Sequence, residues 1–197
     1  MHSDRILSLL LALTLAAALA GCGSAPVQPV IEAAPPLPAK EENFDQARLR
    51  EALTGPELSP NEVADLSDRL LASGNLVNEQ DMARLELVLL KALKNPDKTH
   101  RATLWRNLGI IHYNQKKYKL ARQELQSANE LNPKNARTRF YLAKIFITQG
   151  EIFERQGKKK LARQQFKRAA IEMEMARKIE PSNPLYRQDV KQLIGRE

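Results

Sequence analysis

The sequence predicts an all-α fold in which antiparallel helix hairpins stack into a short solenoid. Composition is the first reason. Eight glycines in 197 residues, 27% charged residues and no long Val/Ile/Thr runs favour helices over strands. The second is an internal repeat: NQKKYKLARQEL, from Asn114, returns as RQGKKKLARQQF, from Arg155. The third is the way the offset drifts along that repeat. Leu108, Gly109 and His112 are matched 34 residues later by Leu142, Ala143 and Phe146. The KLARQ segment is matched 41 residues later. Ala121, Leu125, Ala128 and Pro133 are matched 48 residues later by Ala169, Met173, Ala176 and Pro181. Seven residues added before the turn and seven after it account for the drift. Seven residues make about two helical turns, so both arms lengthen while their apolar seam stays in phase.

The chain begins MHSDRILSLLLALTLAAALAGC. Arg5 precedes an apolar run, Ile6–Ala20, of 15 residues. A membrane-spanning helix needs about 20, whereas this length suits the core of an export signal. Small residues then lead to the only cysteine. Leu19-Ala20-Gly21-Cys22 resembles the lipobox of bacterial lipoproteins. That resemblance implies a signal peptide at 1–21, cleavage before Cys22, and a diacylglycerol thioether on its sulfur. A third acyl chain on the new N-terminus is usual, and several chains anchor firmly where one is marginal. In lipoproteins of two-membrane envelopes an Asp after the cysteine commonly signals inner-membrane retention. Gly23 stands there, so the resemblance implies the outer membrane, with the domain facing the periplasm. With Cys22 acylated the mature chain holds no thiol for a disulfide or a metal.

Residues 22–40 form the expected lipid-anchored tether. Pro26, Pro29, Pro35, Pro36 and Pro38 remove amide donors and fix φ, so the segment is extended and reaches about 50 Å. Residues 41–101 read as N-terminal helices, a degenerate repeat or cap. The first spans 41–53 and ends near Gly55-Pro56. Ser59-Pro60-Asn61-Glu62 starts the second, with Ser as cap, Pro in the first turn and Glu three residues after the cap. It ends near Ser73-Gly74. Asn78 caps a third that runs to about Lys94.

Trp105, Leu108, Gly109, His112, Ala121, Leu125, Ala128 and Pro133 resemble the tetratricopeptide repeat in identity and spacing. His112 stands where Tyr is usual, and it is read as a packing residue. The repeat covers 102–135. An extended second copy covers 136–181, with helices expected at 136–156 and 159–179 and a tip at Gly157-Lys158-Lys159-Lys160. Its extra turns overhang the first hairpin by about 10 Å. Residues 182–197 are expected to add a capping helix from Pro184 to about Ile194.

No metal-ligand spacing, phosphate loop or nucleophile motif is present, so no enzyme, metal or cofactor is expected beyond the lipid on Cys22. Glu172 and Glu174 lie two apart on one helix and do not converge. In the tetratricopeptide family the first helix of each hairpin lines a concave groove that binds peptides. The resemblance implies a groove of Arg106, Ile110, Tyr113 and Asn114 from one repeat, and Arg137, Phe140, Tyr141 and Lys144 from the next. Such a lining suits an extended segment with acidic groups or a C-terminus. Ile110 replaces an Asn of the carboxylate clamp found in chaperone-binding members.

Charge adds a second candidate. Net charge is +8 overall, but residues 23–97 carry 7 Lys/Arg against 13 Asp/Glu, and residues 98–197 carry 23 against 9. That asymmetry points to an anionic partner for the second half, with the tip Lys158, Lys159 and Lys160 as a site for envelope polymer or lipid headgroups. Nucleic acid does not fit a lipid-anchored envelope protein. The expected function is a protein-binding scaffold or assembly factor. Its architecture is similar to the tetratricopeptide lipoproteins, called pilotins, that help pilus secretins assemble.

Overall fold

The computed structural model describes residues 44–73, 78–95 and 97–187. The expected signal, lipidated cysteine, tether and most of the C-terminal helix lie outside them. The chain divides into two units, residues 1–39 and 40–197, and the described residues belong to the second.

Among the described residues all regular structure is helical: α1 (Phe44–Thr54), α2 (Pro60–Ser73), α3 (Glu79–Leu93), α4 (Arg101–Asn114), α5 (Tyr118–Leu131), α6 (Ala136–Arg155), α7 (Lys159–Ile179) and a 3-10 turn, Pro184–Tyr186. The starts are chemically marked. Before α2, Ser59 and Glu62 satisfy each other's amides, Ser59 N to Glu62 Oε2 at 2.9 Å and Glu62 N to Ser59 Oγ at 3.3 Å. Such a reciprocal pair relieves two donors that a helix start leaves unbonded. Asn78 accepts from Asp81 N at 2.6 Å, and Asn135 accepts from Thr138 N at 2.9 Å. Asn183 accepts from Leu185 N at 3.1 Å and so opens the last turn, where the capping helix is expected.

The helices pack as hairpins in sequence. α4 lies on α5, α6 on α7, and α2 on α4. Leu49, Leu66, Leu70, Leu85, Leu89, Leu104, Leu108 and Ile111 fill the core shared by α1–α4, with Trp105 against it. Burying each such leucine contributes roughly 1.5–3 kcal/mol before the entropy of ordering it. Ala121, Leu125, Leu142, Ala143, Ile145, Phe146, Ala169 and Met173 fill the next. Tyr186 closes the end against Ala136 and Ala176.

The heptad insertions are visible as lengths. α4 and α5 have 14 residues each, whereas α6 has 20 and α7 has 21. The added turns bring their own helix crossing. A Cβ on Gly109 would lie 2.7 Å from Leu125 Cγ and 3.2 Å from the Ala121 carbonyl oxygen. In the longer hairpin a Cβ on Gly150 would lie 2.4 Å from the Phe166 ring. Gly150, Ala162 and Phe166 are Gly109, Ala121 and Leu125 displaced by 41. The tip therefore repeats a whole crossing as well as a turn. Both turns close alike, with Lys117 N on His112 O and Lys158 N on Phe153 O, each at 2.8 Å. Both place one residue at positive φ, Lys116 at 62° and Gly157 at 72°.

Candidate functional site

The first helices of the hairpins, α2, α4 and α6, meet along one side, and the expected groove residues divide there into three groups. Four come together. Tyr113 and Tyr141 lie with ring centroids 5.7 Å apart, and Phe140 lies 5.6 Å from Tyr141. Lys144 rises between them, its Nζ 4.9, 5.3 and 5.6 Å from the centroids of Tyr113, Tyr141 and Phe140. Burial holds the Lys144 ammonium below its ordinary pKa. No carboxylate among the described residues pairs with it, so ring faces stand in for lost water. Tyr118 and Tyr186 extend the aromatic surface, 5.7 Å from Tyr113 and 5.3 Å from Phe140.

A second group is neutralised from within. Arg106 is expected to face a ligand, yet it is only 7% exposed and pairs with Asp68 of α2. Its Nε also donates to Asn107 Oδ1 at 3.0 Å, and Asn107 Nδ2 donates to Ser67 Oγ at 2.7 Å and Asp68 Oδ1 at 3.0 Å. This buried network ties α2 to α4, so Arg106 is structural rather than a ligand contact. Arg137 reaches the same Asp68 at 3.6 Å and keeps a quarter of its side chain exposed. Asp68 went unread because it lies where the repeat pattern is weakest. The available signal was its position 38 residues before Arg106, close to one repeat.

The third group is misplaced. Ile110 is 1% exposed, so it packs in the interior and offers no groove surface. Asn114 is exposed at the far end of α4, where it lines a separate pocket of about 360 Å³ with Glu79, Met82 and the turn residues Gln115, Lys116 and Lys117. The groove thus reduces to Tyr113, Phe140, Tyr141 and Lys144, with Arg137 at its edge.

The first half of this arrangement has a known pattern. Residues 102–135 match the family model of the tetratricopeptide repeat. This segment is a tetratricopeptide repeat. No curated protein matches the sequence. The described helices form a tetratricopeptide-like helical solenoid, and repeats of this kind serve as protein-binding scaffolds.

His112 is buried, as its position in the repeat demands, but it does more than pack. Its Nδ1 lies 2.6 Å from Glu124 Oε2 of α5, and its Nε2 lies 3.1 Å from Glu86 Oε1 of α3. A neutral imidazole has one N–H, and two facing carboxylates call for two. Burial opposes the charge, but Glu124 and Glu86 outweigh it and raise the His112 pKa above its ordinary value. Burial also works against the Glu86 charge, yet Gln115, His112 and Lys117 together lower its pKa. The triad clamps three consecutive helices.

The tip residues Lys158, Lys159 and Lys160 are exposed around Gly157. Glu172 pairs with Arg139 at 2.8 Å, while Glu174 faces Arg177 and Lys178, so the two carboxylates do serve different neighbours. Among the described residues no group of three His, Cys, Asp or Glu is placed to hold a metal, and no helix is long and apolar enough to cross a membrane.

Proposed function

We propose that this chain is a lipid-anchored, non-enzymatic scaffold of a bacterial cell envelope. Its groove binds an extended segment of a protein partner through a carboxylate. The observation that carries the groove is Lys144: an ammonium held among three aromatic rings with no acid of the described residues to neutralise it. An entering carboxylate gains a charge-assisted hydrogen bond in a partly dried site, where such bonds are stronger than in water. Tyr113, Tyr141 and Phe140 supply the apolar faces for the flanking side chains, and Arg137 a second donor. The LAGC segment supports lipidation at Cys22, and the proline-rich stretch supports a tether that sets the solenoid off the membrane. Gly23 favours the outer membrane, with the solenoid in the periplasm. A pilotin-like role, assisting the assembly of an outer-membrane complex, fits that arrangement. The lipid on Cys22 is the only non-protein group this reading requires.

Crosslinking and capture from native membranes tests it, with the full chain compared against Lys144→Gln. A protein captured by the first and lost by the second supports the groove. Equal capture by both removes Lys144, and the groove with it. Mass analysis of Cys22 tests the anchor separately, by the added mass of its acyl chains.

A further inference from the structure

A furrow on the other side of α6 carries unassigned chemistry. Phe146 lies two residues from Lys144, about 200° around the helix, so the two face opposite ways. Phe146 is 7% exposed, and its ring floors an open pocket of about 320 Å³ between α5 and α7. Arg122 of α5 and Arg168 of α7 both lie against this ring, their guanidinium carbons 5.4 and 5.9 Å from its centroid. Two like charges thus share one aromatic platform. Neither has a carboxylate partner among the described residues, and the acid on the pocket wall, Glu172, is already taken by Arg139. Gln126, one turn from Arg122, adds an amide donor, and Ile171, 62% exposed, an apolar rim.

We propose that this furrow binds a phosphate group, with Arg122 and Arg168 as its two forks. The stacked rings restrict each guanidinium to a planar orientation, which lowers the entropy lost on binding. An oxyanion between the forks relieves their mutual repulsion and accepts paired N–H bonds that a lysine cannot supply. The volume is at the small end of ligand pockets and suits a headgroup-sized anion. Charge asymmetry led to the exposed tip at Lys158–Lys160, whereas the geometry concentrates anion-binding groups one to two turns further along α7. The same phosphate chemistry can come from free phosphate or from an anionic phospholipid headgroup beside an apolar rim.

The test is calorimetric titration of the full chain in non-ionic detergent at physiological salt. One arm uses inorganic phosphate, the other dihexanoyl phosphatidylglycerol with dihexanoyl phosphatidylcholine as its zwitterionic control. Arg122→Gln/Arg168→Gln should weaken binding at least about tenfold. Arg122→Lys, which keeps the charge and loses the fork, should weaken it too. Arg163→Gln, which removes the same charge from an exposed site on α7, should not. Both arginines are solvent-accessible, and an unchanged circular dichroism melt confirms that the variants fold. Binding of inorganic phosphate assigns a free-phosphate site. Binding of phosphatidylglycerol alone assigns a lipid headgroup. Binding that survives the double substitution, or falls equally in Arg163→Gln, overturns the proposal, as does failure of both probes to bind at millimolar concentration.

Discussion

Replacing His112 with tyrosine, the residue its position carries in the tetratricopeptide pattern, removes the cation that lies between Glu86 and Glu124. The contacts are 2.6 and 3.1 Å. At an effective dielectric constant of about 20 they are worth roughly 6 and 5 kcal/mol of gross attraction. Most of that offsets the dehydration of three charged groups. Removing one partner of such a buried cluster leaves carboxylates without compensation and costs about 3–5 kcal/mol. In a domain of this size each kcal/mol lowers Tm by roughly 2–4 °C, so His112→Tyr should melt about 6–20 °C below the parent.

The pH dependence makes the test specific. His112 has its folded pKa raised above 6.5, so its stabilisation is complete below about 6.5 and fades as pH climbs through the folded value. Glu86 has its folded pKa lowered below 4.5, so its contribution is present above that and fades as pH falls through the folded value. The triad therefore contributes most between these two ordinary values. Thermal melts of parent and variant across the pH range, read as a difference, cancel every other titrating group. The gap in Tm should be widest in that window and narrow toward alkaline pH. A gap that does not change with pH would refute the ion triad and return His112 to simple packing.

Other substitutions probe the hairpins and the groove. Gly150→Ala drives a methyl into the Phe166 ring and should cost about 1–3 kcal/mol in urea unfolding, with part recovered by adding Phe166→Ala. Lys116→Gly should stabilise by about 0.5 kcal/mol, because the left-handed strain it relieves exceeds the chain entropy it adds; Gly157→Lys should do the reverse. Ser59→Ala removes half of a reciprocal cap and should cost about 1 kcal/mol. In anisotropy titrations, a peptide captured by the groove should bind Lys144→Gln about tenfold or more weakly, and its C-terminally amidated form should lose much of this sensitivity if the carboxylate is terminal.

Much of the fold was legible because it is periodic. The offsets 34, 41 and 48 placed the bounds of α6 and α7 within a residue, and the capping roles of Ser59 and Asn78 were readable from residue type. Gly150 was missed although its offset of 41 from Gly109 was in view. The family pattern directed attention to Ala143, the other partner of Gly109. The site was harder to read. Repeat position tells which helix face a residue is on, and it correctly grouped Tyr113, Phe140, Tyr141 and Lys144. It says nothing of a neighbouring helix's charge, so Asp68 claimed Arg106 unforeseen. Nor does it show how deep the face lies, so Ile110 was counted as surface. His112 was judged by its slot, while its function comes from Glu86 and Glu124 on helices either side. Arg122 and Arg168 belong to different helices, and only the packed structure brings them to one ring.

The central claim is that the aromatic, lysine-centred side of α6 receives a protein partner. Photocrosslinking inside living cells tests it most directly, with a benzophenone amino acid placed at Tyr141 and, separately, at exposed Met175 on α7. A discrete protein adduct from position 141, absent from position 175 and abolished by Lys144→Gln, is the predicted result. Adducts that form from position 175 alone, or from position 141 regardless of Lys144, would contradict it.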